Sequence, residues 1–556
     1  MSSADVVKLA RLVCSKHIPE DELRAALAFG PGAFGYGGPE AELFVLSVAD
    51  GLGPRARFAE EHVGGRRVSL IAVDRKLFRG DVARGLLGEM LADKLLLPYV
   101  PVEGADYLAK IEISLKKRLA LELLMDVANR FPTMAQEILL DARYFLYEVI
   151  YRMGRIMPMA AYPFANLLAR PADRRLHEPR MLKGFLRGLR ELEAEGLVAR
   201  ANGFFRATGK LVRKAKRQRL LGMFLRLKGP IRGLSKYAVR ALSDMAKPYV
   251  SERRAFLERF GPRAGANPLS ALPRPDDFLL LRTSIGVRPA LREVAFEEIA
   301  RLIGRLEGPD DVELREIGGT VNLVYLVTVR STSGAARLIV KYFKDWHTLK
   351  WLSLRLWALG AKRFAISGTE RLKREYTMCR ELGELGFPVP RIFHVDLRAR
   401  CLVEEFIEGV NFSELLRRSF LGEENPGRVA RLAREAGRLL ARIHKVGIGV
   451  GDYKPENLIV GYNGRLNLVD LEQAARGGDE AWDVAEFLYY SGHYVPSVST
   501  ADVFEQVAGA FLEGYLDAGG SPEAIRKAPS IKFARVFSVF TPPQVIEAIN
   551  ELCGRF

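Results

Sequence analysis

Asp452 is followed by Lys454 two residues on, Asn457 five residues on, and Asp470 thirteen residues after that, at the end of the apolar run Leu466-Asn467-Leu468-Val469. Those residue types at that spacing suit phosphoryl transfer. The reaction needs one carboxylate to orient and deprotonate an attacking hydroxyl, and hard oxygen ligands to hold a divalent cation against phosphates. Asp452 fits the first role, Asn457 and Asp470 the second, and Lys454 is placed to neutralise the group in transit. A plain polar turn between a helix and a hairpin would use the same residue types. It would not require partners upstream, and these are present.

Stepping upstream, the strand Val312–Ile317 runs into Gly318-Gly319 and a second strand from Leu323, a turn whose backbone amides can approach phosphates without side-chain obstruction. The strand Leu338–Tyr342 carries Lys341 as a phosphate clamp, and the helix expected from Glu370 to Leu385 should supply its acid. Glu375 fits that place best, with Glu370 and Glu381 as other choices. The run Cys401 to Phe406 reads as a strand ending in a hinge around Glu405 to Ile407, whose backbone would meet adenine. A helix over Arg431–His444 leads into the catalytic loop, and Asp483 is expected to brace that loop. Between Lys341 and Glu375, Trp346, Trp351 and Trp357 hold three of the four tryptophans, read as packing an inserted helix or as a partner face.

In order and spacing these residues resemble the protein-kinase-like superfamily, most nearly its RIO kinases, the kinase subunit of the KEOPS complex, and the choline and aminoglycoside kinases. The resemblance implies a bilobal domain over 290–556, with an N-lobe to about 405 and a C-lobe from about 406. It implies ATP as donor, bound by Gly318, Gly319, Lys341, Glu375, Glu405 and Ile407, with Asp452, Lys454 and Lys341 catalytic and Mg2+ on Asn457 and Asp470. The sequence departs from the family in two places. Val450-Gly451-Asp452 lacks the histidine usual two residues before the acid, and Asp470-Leu471-Glu472 replaces Asp-Phe-Gly. Only eleven residues separate Asp470 from Trp482, too few for a long activation segment. An atypical kinase follows. Lysine at 454 is typical of Ser/Thr kinases and favours a protein substrate, with a small-molecule phosphotransferase or a catalytically weak scaffold as alternatives.

At 556 residues the chain is too long for one core. The expected class is α+β and multidomain: an α/β domain over 1–130, a helical and winged-helix-like domain over 131–260, and a Pro-rich linker over 261–289. The first resembles nucleotidyltransferases through the glycine-rich turn Gly30–Gly38 and the following Glu40 and Glu42. Pro31 stands where that family has serine, glutamates replace its aspartates, and Ser69 takes the place of the third carboxylate, so the domain is expected to be inactive. In the second, helices over Met134–Met153 and Pro179–Glu195 precede a hairpin turning at Asn202-Gly203.

The net charge of +17 is concentrated: residues 174–240 carry nineteen Lys and Arg against four Glu, +15 of the total. Lys183, Arg187, Lys210, Arg213, Lys214, Lys216 and Arg217 are the candidate contacts to nucleic acid, the alternative being a solvated basic face. The four scattered cysteines suggest neither disulfides nor a zinc site. The N-terminus lacks signal-peptide features and no apolar run reaches the roughly 18 residues of a span. A cytoplasmic protein with no membrane partner is expected; abundant Arg, Leu and Glu with few Gln suit a thermophilic source, and the resemblance to archaeal small kinases implies an archaeal one.

Overall fold

The computed structural model describes residues 2–36, 41–53, 56–85, 89–225, 240–261, 267–304, 306–307, 311–318, 322–345, 365, 367–495, 501–537 and 541–556. The chain divides into two compact units, Met1–Leu280 and Leu281–Phe556.

The first unit opens with α1 (Ser3–His17), started by a capping box in which Ser2 and Asp5 satisfy each other's backbone N–H. Then come β1 (Leu23–Phe29), the short α2 (Pro31–Phe34), β2 (Leu43–Ala49), β3 (Arg57–Val63), β4 (Arg66–Asp74), α3 (Arg75–Arg84), β5 (Val100–Glu103) and α4 (Ala105–Arg130). The strands form one sheet in the order β3-β4-β2-β1-β5, with β2 parallel to β4 and the other neighbours antiparallel. Val6, Ala10 and Val13 of α1 pack on Ala26, Ala28, Val45 and Leu70. The turn after β1 needs glycine for a reason of its own: a Cβ on Gly32 would lie 2.6 Å from the Glu42 carbonyl oxygen. Ser69, opposite Phe44 in the β2/β4 register, donates its hydroxyl to the Glu42 carboxylate. Burial raises that carboxyl above its ordinary value. Glu40 lies outside the described residues.

The same unit continues through β6 (Leu139–Leu140), α5 (Ala142–Ile156), α6 (Tyr162–Leu168), α7 (Pro171–Ala194), β7 (Val198–Ala201), β8 (Phe204–Ala207), α8 (Gly209–Leu225) and α9 (Arg240–Phe260). The hairpin turns as expected, Asn202 and Gly203 both having positive φ (49° and 85°). Two helix boundaries differ from the expectation. Helix α5 starts only at Ala142, because Asp141 caps it and Leu139–Leu140 pair instead with Phe205 and with Leu279–Leu280. Helix α7 starts at Pro171 and runs through Pro179, whose missing N–H is tolerated on an exposed turn.

The described residues of the Pro-rich stretch, expected as a linker, form short turns packed against the first unit. Pro268–Ala271 and Pro275–Phe278 form single 3-10 turns before β9 (Leu279–Thr283), which runs across the boundary between the units. Pro268, Pro275, Phe278 and Leu279 are buried, Phe278 stacks on Tyr147 at 5.3 Å, and the Tyr151 hydroxyl donates to the carbonyls of Leu269 and Leu272. The apolar residues between the prolines carry enough burial to fold them down.

The second unit holds β10 (Gly286–Pro289), α10 (Phe296–Gly304), β11 (Asp311–Gly318), β12 (Leu323–Ser331), β13 (Gly334–Tyr342), α11 (Gly368–Glu384), β14 (Ile392–Asp396) and β15 (Cys401–Glu405). An antiparallel sheet runs β11-β12-β13-β15-β14. There follow β16 (Gly409–Asn411), α12 (Phe412–Phe420), α13 (Pro426–Lys445), β17 (Ile448–Gly449), β18 (Leu458–Gly461), β19 (Leu466–Leu468), β20 (Ala475–Arg476) and the helices α14 (Glu480–His493), α15 (Ala501–Asp517), α16 (Pro522–Lys527), α17 (Ile531–Phe537) and α18 (Pro543–Gly554). Small sheets β16-β18-β19 and β17-β20 flank the loop that carries Asp452. Helix α10 begins at Phe296, seven residues after Pro289 ends β10. Gly319 and the three tryptophans lie outside the described residues. No described helix is long and apolar enough to cross a membrane.

Candidate active site

Helix α13 is built on a buried row, Val429, Ala433, Ala436, Leu440 and Ile443, with Asn425 capping its start and Pro426 in its first turn. It delivers the chain to β17 and then to the loop 450–457. That loop is held from α14. Asp483, 1% exposed, accepts from the backbone N–H of Val450 (2.7 Å) and Gly451 (2.6 Å), and its Oδ2 lies 3.0 Å from His444 Nε2. His444 reaches Tyr515 with its other ring nitrogen, at 2.8 Å. Glu486, one turn further along α14, accepts from Tyr453 N (2.8 Å) and Trp482 Nε1 (3.2 Å). The histidine missing ahead of Asp452 is thus replaced by a histidine on α13 that acts through Asp483.

Within the loop, Lys454 Nζ donates to Asp452 Oδ2 at 2.9 Å, and Asn457 Nδ2 donates to the same oxygen at 3.0 Å and to the Asp452 carbonyl at 2.8 Å. Both side-chain donors use Oδ2, which leaves Oδ1 to accept from something else. Burial works against the Lys454 charge, but Asp452 outweighs it and raises the lysine well above its ordinary value. Val469 N donates to Asn457 O at 2.9 Å, which ties the end of β19 to the loop. The next residue, Asp470, has φ 63°, a left-handed conformation uncommon outside glycine and the sort of local strain found at functional sites.

Lys341 points from β13 into a buried acidic cluster. Its Nζ lies 2.8 Å from Glu375 Oε1 on α11 and 2.9 Å from Glu404 Oε1 on β15, with the three residues 7%, 0% and 2% exposed. Burial alone would depress the lysine, yet the charges of Glu375, Glu404 and Asp470 together raise it well above its ordinary value. Burial raises both glutamates, against the pull of Lys341. One ammonium between two acids leaves one negative charge uncompensated, and the second oxygens of both glutamates are buried without hydrogen bonds. The proton balance therefore belongs to the pair.

A second buried network surrounds Glu472, two residues past Asp470. Asn322, just after the glycine turn, donates to Glu472 Oε2 at 2.6 Å, and Arg371 of α11 donates to Asn322 Oδ1 at 2.6 Å and to Glu472 Oε2 at 3.1 Å. Gln473 exchanges hydrogen bonds with the backbone of Ala365, accepting at 2.9 Å and donating at 3.3 Å. Asn322, α11 and the segment that follows Asp470 are thereby locked to one another.

The structure brings together Lys341, Glu375, Asp452, Lys454, Asn457 and Asp470 within the second unit. It does not bring the Glu405 side chain to them: that carboxylate pairs with Arg391 at 2.9 and 3.1 Å, and Glu405 N donates to Arg391 O at 2.9 Å. Ile407 follows β15, half-buried, and Gly318 closes β11, exposed, where a Cβ would meet nothing within 4 Å. In the first unit Lys183 and Arg187 are exposed on α7, and Arg213, Lys216 and Arg217 are exposed on α8 with Lys214 half-buried beside them. Lys210 donates to Glu195 O at 2.7 Å. Sequence reasoning missed Glu404, His444, Glu486 and the Asn322–Arg371–Glu472 network. Glu404 becomes visible only through register: β13 and β15 pair Ile339 with Glu404 and Lys341 with Leu402, so strand alternation puts Glu404 on the same face as Lys341.

The phosphotransferase enzyme family matches residues 313–450, from β11 to just ahead of Asp452. The chain is 34% identical over 102 residues to the KEOPS complex subunit Bud32 of Pyrococcus abyssi, covering 18% of this chain and 44% of that protein. It is 29% identical over 163 residues to a probable serine/threonine-protein kinase BUD32 homolog of Archaeoglobus fulgidus, covering 29% of this chain and 74% of that protein. The chain therefore spans less than half the length of the first of these relatives. Residues 313–450 of its C-terminal unit are thus similar to phosphotransferase enzymes.

Proposed function

We propose that the C-terminal unit transfers the γ-phosphoryl group of ATP to a hydroxyl, most favourably that of a Ser or Thr on a protein. The observation that carries the reading is the polarity of Asp452. Its Oδ2 is taken by Lys454 and Asn457, so Oδ1 is the oxygen left to accept the proton of an incoming hydroxyl. As the hydroxyl oxygen bonds to the γ-phosphorus, the bond to the leaving diphosphate breaks and Asp452 takes the proton. Lys454, beside the same carboxylate, offsets negative charge on the group in transit. Lys341, fixed by Glu375, would grip the donor phosphates.

Asn457 and Asp470 fit a magnesium ion by their chemistry. Asn457 spends its amide nitrogen on Asp452, and the atom left over is the amide oxygen, a hard-cation ligand. Asp470 supplies a carboxylate on strained backbone next to β19. Bound there, magnesium would neutralise the phosphates.

Lysine at 454 supports a protein hydroxyl over a small-molecule one, and the likeness to Bud32 kinases leans the same way. The test is transfer of label from γ-labelled ATP, with magnesium, to the protein itself and to a generic Ser/Thr substrate. Asp452→Asn should lower turnover by about a hundredfold to ten-thousandfold while ATP still binds. Equal label with wild type, Asp452→Asn and Asp470→Ala would end the proposal. In the first unit the Glu42 carboxylate is occupied by Ser69, which supports a structural role for that domain.

A further inference from the structure

The first unit contains a cleft of about 320 Å³ between α7 and the corner where β5 turns into α4. Three cations line one wall, Arg180, Lys183 and Arg187, spaced three and four residues apart on one face of α7. Apolar and aromatic surface from Phe34 and Tyr99 lines the rest. Five of the acids nearby are engaged with other groups. Glu112, the one carboxylate in the lining, accepts from Lys116 at 2.7 Å and from the Tyr99 hydroxyl at 2.9 Å. On α7 and at its end, Asp173 pairs with Arg259, Glu178 accepts from Tyr147, and Glu191 and Glu195 hold Lys117. Among the described residues, Arg180, Lys183 and Arg187 have no ion-pair partner.

We propose that this cleft binds a 5′-phosphorylated nucleotide unit, free or at the end of a single strand, through the α7 cations and the Tyr99 and Phe34 rings. A solvated basic helix needs no cleft, and three unpaired cations converging on an apolar pocket form a site that lacks only its anion. The volume stands at the low end of small-ligand clefts, about 300–1,000 Å³, large enough for one nucleotide and too small for a duplex. Cations would neutralise phosphate while ring faces take the base, the combination used in single-strand recognition. This site is separate in the chain from the residues assigned to phosphoryl transfer, and its ligand need not be the substrate of that reaction.

The test measures fluorescence anisotropy of the full-length protein with a short 3′-labelled oligouridylate, carrying either a 5′-phosphate or a 5′-hydroxyl. The phosphorylated strand should bind more tightly, with affinity falling as salt rises. Lys183→Glu with Arg187→Glu should weaken it by about tenfold or more and shallow the salt slope by about 0.7 per contact removed. Asp470→Ala should bind as wild type does, which keeps this result distinct from failure of the kinase reading. Competition by uridine 5′-monophosphate would name a free nucleotide as ligand, and competition only by oligomers would name a strand end; both outcomes uphold the site. Equal binding of the two strands, or binding lost with Arg213→Glu and Lys216→Glu but intact in the α7 variant, would overturn it.

Discussion

The Lys341 ammonium lies 2.9 Å from Glu404 and 2.8 Å from Glu375, so a single buried cation serves two buried acids. Removing the cation and removing one acid should therefore have opposite effects. Lys341→Met leaves two carboxylates without a counter-charge and should destabilise the C-terminal unit by about 3–5 kcal/mol. Glu404→Gln removes the uncompensated charge and should leave stability equal or higher, and adding it to Lys341→Met should recover part of the loss. Denaturant unfolding of the three variants decides this; a Glu404→Gln loss as large as that of Lys341→Met would sink the account.

Asp483 is the second anchor. It receives two backbone N–H groups of the catalytic loop and the His444 ring, all buried. An amide cannot accept at both oxygen positions, so Asp483→Asn should cost about 1–3 kcal/mol for each orphaned donor and slow turnover more than it weakens ATP binding. Hydrogen exchange at Val450 and Gly451 should speed up in the same variant. Unchanged protection there would show that the loop is held by something else.

Arg371, Glu472 and Asn322 make a third prediction, about coupling. Arg371 is fully buried and its partners are Asn322, just ahead of β12, and Glu472, beyond Asp470. Arg371→Met and Glu472→Gln should each destabilise strongly. Because each removes the other's reason for being charged, the double variant should fall short of their sum by about 0.5–3 kcal/mol. Strict additivity would separate the two residues.

Much of the kinase-like unit was legible in the sequence because its chemistry is local. Asp452, Lys454 and Asn457 sit within six residues, and the lysine at the end of an apolar strand and the acid on the next helix are found by period alone. Glu375, expected on that basis to pair with Lys341, lies 2.8 Å from it. What escaped depends on register and on distance in the chain: Glu404 needs the pairing of β13 with β15, and the Asp483–His444 contact spans 39 residues. Proline content suggested a linker at 261–289, and what it did not show is that Phe278 and Leu279 within that stretch are buried. Pro179 likewise suggested a helix start, where an exposed turn of α7 tolerates one missing hydrogen bond.

Glu252 makes the last prediction, in the first unit, where pH should control stability. This α9 carboxyl is 2% exposed, accepting from the Tyr36 hydroxyl at 2.7 Å and from Asn166 Nδ2 at 2.7 Å. Burial raises it from 4.5 to about 7, against the hydrogen bonds of Tyr36 and Asn166 and the charges of Lys94 and Arg259. A carboxyl raised on folding is more easily kept protonated in the native state, so its contribution is fully present below about 4.5 and is lost as pH rises through about 7. At about 1.4 kcal/mol per unit, the loss across that window approaches about 3 kcal/mol. Glu252→Gln keeps the shape and removes the titration. Its unfolding midpoint should match wild type in acid, stay flat where wild type declines, and lie above it at neutral pH. Urea unfolding across that range, followed by a probe in the first unit, checks this; parallel curves for the two proteins would place the titrating group elsewhere.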